Sequence, residues 1–153
     1  MLYTENTKKA IKIMFEKHKE QVDISKTPYV FHPWHIAEQM NDEDSTIVAL
    51  LHDVLEDTDT KIEELLQYNF NDKIIEALVL LKHNKDEDYY EYIEKISQNE
   101  LARKVKLEDL KHNADLTRLN IITEEDLKRQ KKYQSCITYL ENINKEINKQ
   151  YQK

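Results

Sequence analysis

Several short stretches of the chain carry histidine, carboxylate and amide side chains at spacings that can support chemistry. They are, in chain order, His32, the pair His52-Asp53, the pair Glu56-Asp57, and Asp109 with Asn113 four residues later. Imidazole and carboxylate groups together form mixed nitrogen and oxygen sites for divalent cations, and both groups can transfer protons. These stretches are therefore candidates for a metal site or an acid-base site.

The pair His52-Asp53 interrupts an otherwise apolar run from Ala49 to Leu55. Burying an unpaired carboxylate costs several kcal/mol, so a buried pair must be hydrogen-bonded or bound to a cation. One metal ion would satisfy both side chains. The alternative is that both side chains lie at the edge of the apolar stripe and face water. Spacing alone leaves both interpretations open.

The composition indicates one acidic globular domain. The chain has 153 residues, with 23 basic and 30 acidic side chains and a formal net charge of −7. A chain of this length can bury a sufficient core without disulfides. The negative charge argues against non-specific nucleic-acid binding, which depends on clustered Lys and Arg. A small anionic ligand stays compatible, because a metal can supply local positive charge.

Residue types that are scarce or missing narrow the function further. The single cysteine, Cys136, excludes an internal disulfide framework and a zinc site with several thiolates. The chain has no glycine, which excludes glycine-rich phosphate loops, the dinucleotide fingerprint and the nucleophile elbow. We find no signal-peptide pattern and no bilayer-spanning apolar run. We therefore expect a cytoplasmic protein with no nucleic-acid or membrane partner.

Apolar periodicity predicts helices throughout, and therefore an all-α fold. In the first helix, we expect Ile11, Met14, Phe15 and His18 to share the buried face. The later helices are predicted to begin at Pro33, at Ser45, at Thr60 with Glu63, at Asn71, near Tyr89, near Asn99 and at Thr123. The helix capped by Ser45 is expected to continue through the His-Asp pair and to end at the Glu-Asp pair.

Four sequence blocks, in this order, match a known family pattern. They are HKEQ at residues 18–21, PYVFHP at 28–33, LLHDVLEDT at 50–58 and KLEDLKHN at 106–113. With these blocks the chain resembles the HD-domain metal-dependent phosphohydrolases, and specifically the hydrolase domain of RelA/SpoT-type alarmone enzymes. A His-Asp pair alone would be a weak match, whereas four ordered blocks are a specific one.

The resemblance implies a fold and an activity. The fold would be an all-α, single-domain HD-domain helical bundle over residues 1–153, with the motifs at about 18–118 and a C-terminal helix at about 123–150. The activity would be metal-dependent hydrolysis of a nucleotide, most closely the release of the 3′-pyrophosphate of guanosine tetraphosphate. No synthetase block follows, so we expect a small stand-alone hydrolase.

The resemblance also implies a cofactor and a set of site residues. One divalent metal would be held by His32, His52, Asp53 and Asp109. Manganese is favoured, with iron, zinc or magnesium as alternatives. Glu56 and Asp57 would orient a metal-activated water and take its proton. Asn113 and Lys106 would contact the substrate.

Positions that contact the base and the phosphates in the family are changed in this chain. Asp23 stands where the family has a basic residue, Leu110 replaces an arginine after the last metal ligand, and Asp115 replaces another arginine. A carboxylate near a polyphosphate repels it. The alternatives are therefore a nucleotidase or 2′-phosphatase on the same scaffold, and a non-catalytic, metal-stabilised nucleotide-binding module. Retention of the Glu-Asp pair argues against the binding module.

Other polar side chains have two interpretations each. The unplaced candidates for phosphate contacts are Arg103, Lys111 and Arg118. His35, one turn after His32, is either a further ligand or part of the site wall. We expect His18 and His112 to support the site and His83 to be solvated.

Aromatic residues and the terminal helix also leave alternatives open. Tyr89, Tyr90 and Tyr92 either stack on a nucleobase or pack in the protein. Trp34 is expected to pack the second helix onto the bundle. The apolar stripe of the terminal helix either completes the core or forms a contact in a homo-oligomer.

Overall fold

The computed structural model describes residues 1–152. Within that range the chain forms nine α-helices: α1 (Glu5–His18), α2 (Phe31–Glu38), α3 (Glu43–Leu51), α4 (Val54–Asp57), α5 (Ile62–Leu66), α6 (Asp72–Leu81), α7 (Tyr89–Ser97), α8 (Glu100–Ala114) and α9 (Glu124–Tyr151). A short 3-10 helix covers Leu116–Arg118. Residues Val22 and Pro28 form an isolated β-bridge. The expected all-α, single-domain helical bundle is confirmed.

Helix α3 lies at the centre of the bundle. Its residues from Ser45 to Leu51 are all buried, and it packs against α1, α2, α6 and α8. A helix buried on every side lies within a core rather than on its surface. The residues that follow its last turn, His52 and Asp53, therefore enter the interior of the protein.

The expectation of one continuous third helix is wrong. Helix α3 ends at Leu51, and α4 begins only after a break at His52 and Asp53. Asp53 has φ −97° and ψ −4°, between the helical and extended regions. The Nδ1–H of His52 donates to the carbonyl of Ala49 at 2.7 Å, which satisfies a carbonyl at the helix end. The apolar pattern continues across the break and therefore hides it.

Three predicted helix caps are confirmed. The side chains of Asn71, Asn99 and Thr123 accept backbone N–H groups in the first turns of α6, α8 and α9. In α9 the carboxylate of Asp126 also accepts the N–H of Thr123, which completes a reciprocal capping box.

Three other predicted helix starts are wrong. The observed positions are Phe31 instead of Pro33 for α2, an Asp42 cap instead of Ser45 for α3, and a Lys61 cap instead of Thr60 for α5. Asp42 accepts the backbone N–H of Ser45 at 2.8 Å and its hydroxyl at 2.6 Å, so Ser45 supports the cap. The hydroxyl of Thr60 accepts a hydrogen bond from Thr58 at 2.8 Å.

The predicted buried face of α1 is partly wrong. Met14 and His18 are buried as expected, but Phe15 is 50% exposed and Ile13 is buried in its place. The buried positions follow Ala10 at spacings of three and four residues, and Phe15 lies one position beyond this stripe. Trp34 packs partly buried against the core, as predicted.

Helix α9 lies along α8 and contributes Cys136, Ile137 and Leu140 to the core. Its apolar stripe therefore completes the bundle at these positions. None of the helices in residues 1–152 combines the length and the apolar character needed to cross a membrane.

Candidate metal centre and active site

Three separate segments bring the four predicted metal ligands together. His32 lies in the first turn of α2, His52 and Asp53 lie at the break after α3, and Asp109 lies in α8. These positions meet because α3 packs against both α2 and α8. The side chains of His32, His52 and Asp109 are almost completely buried, and that of Asp53 is 17% exposed.

The candidate ligand atoms face one another at short distances. Nε2 of His32 lies 3.1 Å from Oδ1 of Asp109 and 3.5 Å from Oδ2 of Asp53. Nε2 of His52 lies 3.0 Å from Oδ2 of Asp53 and 3.7 Å from Oδ1 of Asp109. Ligand atoms of His32, His52 and Asp109 all lie within 4.8 Å of one another. This buried His/Asp cluster can hold a metal ion.

The orientation of His52 fits a metal ligand. Because its Nδ1–H donates to the carbonyl of Ala49, its Nε2 carries a lone pair in the neutral imidazole. Nε2 is buried without a hydrogen-bond partner and faces oxygen atoms of Asp53 and Asp109. Lone pairs that converge in a buried site require a positive charge between them, and a divalent cation could supply it.

The electrostatics of the cluster lead to the same requirement. Burial acts to lower the pKa of His52, but the negative charges of Asp53 and Asp109 outweigh it and set that pKa well above its usual value. Burial acts to raise the pKa of Asp53, but the charge of His52 and a hydrogen bond from His32 hold it well below its usual range. The enclosed carboxylates thus attract either protons or a cation.

The two predicted substrate-binding residues both contact Asp109. Nζ of Lys106 donates to Oδ2 at 2.8 Å, and Nδ2 of Asn113 donates to Oδ1 at 2.7 Å. The side chain of Lys106 is only 13% exposed, and its ammonium group lies 5.2 Å from the centroid of the Tyr92 ring. In this structure Lys106 and Asn113 therefore orient a candidate metal ligand. Asn113 also lines a cavity beside the site.

His112 supports His32 from outside the cluster. The Nδ1 atoms of the two residues lie 2.7 Å apart, and the rings stack with their centroids 4.9 Å apart. Burial, followed by the charge of His32, lowers the pKa of His112 to about 3. A neutral His112 can accept the Nδ1–H of His32, which leaves Nε2 of His32 for a cation. His35 stacks on His112 with a centroid distance of 4.3 Å, so it reaches the site through that ring.

Glu56 and Asp57 lie at the solvent-accessible end of α4, within one turn of the break. Oε2 of Glu56 accepts the backbone N–H of His83 at 3.2 Å. Partial burial raises the pKa of Glu56, and partial burial together with the charge of Asp53 raises that of Asp57. A carboxyl group with a raised pKa is better matched to proton transfer near neutral pH.

Tyr29 is a site residue that sequence reasoning missed. Its phenolic O–H donates to Oδ2 of Asp53, and its oxygen lies 3.2 Å from Oδ2 of Asp57. Burial, followed by the charge of Asp53, raises the pKa of Tyr29, so the phenol keeps its proton. Tyr29 therefore links a candidate metal ligand to a candidate proton-transfer group. Its place in the PYVFHP block was the available signal.

His18 supports the site as expected, through a relay of hydrogen bonds. Nδ1 of His18 donates to the side-chain carbonyl of Gln21 at 2.7 Å. The amide of Gln21 donates to the backbone carbonyl of Asp57 at 2.8 Å. The end of α1 is thereby connected to the end of α4.

Two of the three unplaced basic residues have their partners outside the candidate site. Arg103 is buried, and it donates to the carbonyl of Ser97 at 2.6 Å and to Oδ1 of Asn144 at 2.7 Å. Its interpretation as a phosphate contact is therefore wrong. Lys111 pairs with Glu108 at 2.9 Å on the outer side of α8.

His83, in the loop before α7, contacts other parts of the protein. His83 is not simply solvated, because its Nε2 lies 2.9 Å from the carbonyl of Glu87 and its ring packs 4.8 Å from that of Tyr92. Tyr92 is 1% exposed and donates its O–H to the carbonyl of Leu81 at 2.5 Å. Tyr92 therefore packs in the core, whereas Tyr90 is exposed.

A cavity of about 270 Å³ opens beside the cluster. Its polar lining includes Asp23, Tyr29, His32, Asn113, Arg118 and Arg129. The changed residue Asp23 is therefore at the cavity, and its Oδ2 lies 3.5 Å from Nη2 of Arg118. The carboxylate of Asp23, which was expected to repel an anionic ligand, is thus paired with the guanidinium group of Arg118.

Two proteins that are similar to this chain in sequence are named as pyrophosphohydrolases. No protein-family model matches the chain. The chain is 40% identical over 67 residues to a guanosine-3′,5′-bis(diphosphate) 3′-pyrophosphohydrolase of Aquifex aeolicus, which covers 41% of this chain and 10% of that protein. It is 34% identical over 112 residues to the enzyme of the same name, MESH1, of Xenopus tropicalis, which covers 64% of this chain and 62% of that protein.

A solved structure shares the whole fold. It comes from work describing a metazoan ortholog of SpoT that hydrolyses ppGpp and plays a role in starvation responses, and it matches with a TM-score of 0.74 and 23% identity. The match covers 99% of this chain and 98% of that one. The chain spans less than two thirds of the curated relatives. The resemblance to HD-type (p)ppGpp hydrolases, predicted from the four blocks, is confirmed by these matches.

Proposed function

We propose that this protein is a divalent-metal-dependent phosphohydrolase that releases the 3′-pyrophosphate of guanosine tetraphosphate. The observation that carries the proposal is the convergence of two imidazoles and two carboxylates, with Nε2 of His52 buried and unpartnered among them. The similarity to proteins named as guanosine-3′,5′-bis(diphosphate) 3′-pyrophosphohydrolases supports the choice of substrate.

The metal would be held by His32, His52, Asp53 and Asp109. This mixed nitrogen and oxygen set suits manganese, which we favour, and also iron, zinc or magnesium. The chemistry that such a cation supplies when bound is the activation of water and the polarisation of a phosphoryl oxygen.

The residues around the metal would supply proton transfer and positioning. Glu56 or Asp57 would take the proton of the attacking water, because partial burial raises the pKa of each carboxyl and makes its carboxylate a better proton acceptor. Tyr29 would orient Asp53 through its phenolic O–H, with its oxygen close to Asp57. Hydrolysis would break the bond between the ribose 3′ oxygen and phosphorus, and would leave guanosine 5′-diphosphate and pyrophosphate.

A different nucleotide is the second candidate substrate. Asp23, Leu110 and Asp115 replace residues that contact the base and phosphates in the family, and Asp23 and Asp115 line the cavity. These changes favour a nucleotidase or 2′-phosphatase activity on the same scaffold. A panel of nucleoside monophosphates and a 2′-phosphorylated dinucleotide would separate the two activities.

The direct test is incubation of the purified protein with Mn²⁺ and guanosine tetraphosphate, with pyrophosphate measured over time. We expect release that chelation abolishes and that His52→Ala removes. Turnover of another nucleotide, and not of guanosine tetraphosphate, would change the assigned substrate but not the assigned reaction class. Nucleotide binding without any turnover, unchanged in Glu56→Ala, would instead identify a non-catalytic binding module.

Further expectations concern the protein as a whole. We propose one HD domain over residues 1–153, a cytoplasmic location and no nucleic-acid partner. Light scattering after size exclusion would show whether a homo-oligomer forms.

A further inference from the structure

Arg118 is held at the cavity by contacts between two distant segments. Its carbonyl accepts the hydroxyl hydrogen of Ser25 at 2.8 Å, and Nδ2 of Asn120 donates to the carbonyl of Ser25 at 3.4 Å. The Ser25 segment is itself a tight loop closed by the bridge between Val22 and Pro28. The backbone of Arg118 is therefore fixed against the loop that carries Asp23.

The guanidinium group of Arg118 has N–H donors that are not used by its contacts within the protein. Nη1 donates to the carbonyl of His112 at 2.9 Å and lies 3.5 Å from Oδ1 of Asn113, while Nη2 lies 3.5 Å from Oδ2 of Asp23. A guanidinium offers five N–H donors, so these contacts leave at least two for a ligand. The side chain is 25% exposed, which combines a fixed position with access from the cavity.

Arg118 lies where two cavities meet. It lines the cavity of about 270 Å³ and a neighbouring one of about 170 Å³, and both also contain Asp23, Tyr29 and His32. Within residues 1–152, neither Glu56 nor Asp57 lines either cavity. A group bound at Arg118 therefore lies in cavities that are lined by His32 of the metal cluster and not by the proton-transfer pair.

The other cations near the site are paired with carboxylates. Lys106 is bound to Asp109, and Arg129, which lines only the larger of the two cavities, forms an ion pair with Asp126. Arg118 is the only Arg or Lys of the described chain in the lining of both cavities. Its pair with Asp23 is long, and a ligand phosphate would form shorter, charge-assisted bonds.

We infer that Arg118 binds the phosphate group of the nucleotide that is not attacked, and that it replaces the basic residues missing at Asp23 and Asp115. This inference rests on the proposed function for the identity of the nucleotide. Arg118 is then a specificity residue, because it selects nucleotides that carry a second phosphorylated position over those that carry one.

Asp23 has an opposing effect in this arrangement. Its Oδ1 accepts the N–H groups of Ser25 and Thr27, which shape the loop, while its Oδ2 competes with the ligand for Arg118. Asp23→Asn retains an oxygen for the loop and removes the competing charge. We therefore expect this substitution to strengthen phosphate binding, an effect that a general loss of structure cannot produce.

The experiment is calorimetric binding of guanosine 5′-diphosphate and of guanosine to the Mn²⁺-loaded protein. Guanosine 5′-diphosphate retains only the phosphates that the proposed reaction leaves in place. We expect Arg118→Gln to weaken its binding by roughly 10- to 100-fold, as for the loss of a charged hydrogen bond. Guanosine binding should be unchanged, and Asp23→Asn should tighten diphosphate binding several-fold. Lys111→Gln, on the outer side of α8, is the control.

Each outcome decides the inference. It is overturned if the wild-type protein binds the diphosphate no better than guanosine, if Arg118→Gln leaves diphosphate binding intact, or if both ligands are lost equally. Thermal unfolding of each variant shows that the protein is folded, and Arg118→Lys gives an independent intermediate loss. If diphosphate binding depends on Arg118 but no pyrophosphate is released from guanosine tetraphosphate, the proposed reaction is contradicted and the phosphate subsite is supported.

Discussion

The Nδ1 atoms of His32 and His112 lie 2.7 Å apart, although the two residues are 80 positions apart in the chain. This contact joins the start of α2 to the last turn of α8. It fixes which nitrogen of His32 faces the carboxylates of Asp53 and Asp109. Ligands whose ring orientation is set in advance bind metal more tightly.

Replacing His112 should weaken metal binding without removing a ligand. His112→Phe keeps an aromatic ring but loses the nitrogen that accepts the Nδ1–H of His32. We expect a 10- to 100-fold lower Mn²⁺ affinity, on the order seen for other residues that orient metal ligands. Competition with a chromogenic chelator measures this directly.

The matched control is His35→Phe. His35 stacks on His112 at 4.3 Å but lies outside the buried His/Asp cluster. Its replacement should leave the Mn²⁺ affinity within about twofold of wild type on this view of ligand orientation. Equal affinities for the two variants would show that the contact between His32 and His112 does not orient the ligand.

The pair of Lys106 and Asp109 predicts an asymmetric effect on stability. Asp109→Ala leaves a largely buried ammonium group without its carboxylate, which typically costs about 3–5 kcal/mol. The double variant Lys106→Met with Asp109→Ala should recover part of that loss, because it removes the uncompensated charge. Urea unfolding of the metal-free protein gives the free energies. If the double variant were less stable than Asp109→Ala alone, the charge would not be the cause.

The position of the candidate ligands could be predicted from the sequence, but their supporting contacts could not. The four blocks identify His32, His52, Asp53 and Asp109 because their residue types and order are specific. The break after Leu51 could not be predicted, since the apolar pattern that signals a helix continues through it. It becomes visible only when the side chain of His52 takes over a backbone carbonyl.

The roles of the basic residues could not be predicted from the sequence, because they depend on contacts between distant parts of the chain. Arg103, Lys106 and Arg118 have the same formal charge and were all candidates for phosphate contacts. In the structure, Arg103 is bound to Asn144 of α9 and Lys106 to Asp109, and of these three residues only Arg118 lines the cavity. These partners are set by helix packing, which local periodicity does not encode.

The raised pKa of Glu56 predicts the acidic limb of the pH profile. A general base acts only when ionised, so a pKa raised by burial moves the loss of activity on acidification to a higher pH than for an ordinary glutamate. The dependence of kcat/KM on pH in the Mn²⁺-loaded enzyme measures this limb. Activity should therefore be retained above that pKa and lost below it.

The corresponding variant is Glu56→Gln, which cannot accept a proton. We expect it to lower kcat by roughly 10²- to 10⁴-fold, the usual contribution of a general base, while the metal stays bound. Glu63→Gln, at an exposed position of α5, is the control. A Glu56→Gln enzyme with a normal rate and an unchanged acidic limb would assign the proton transfer to Asp57 instead.

Tyr29 provides a test of how the metal cluster and the proton-transfer pair are coupled. Tyr29→Phe removes the O–H that donates to Asp53 and the oxygen 3.2 Å from Asp57, but retains the ring that packs against His18 and His32. Loss of a hydrogen bond to a charged group costs about 1.5–3 kcal/mol, so we expect kcat/KM to fall by roughly 10- to 100-fold. Tyr90→Phe, which alters an exposed tyrosine, should have the wild-type rate. If Tyr29→Phe lost metal affinity but kept its rate at saturating Mn²⁺, the phenol would act on Asp53 alone, and Asp57 would be positioned by Gln21.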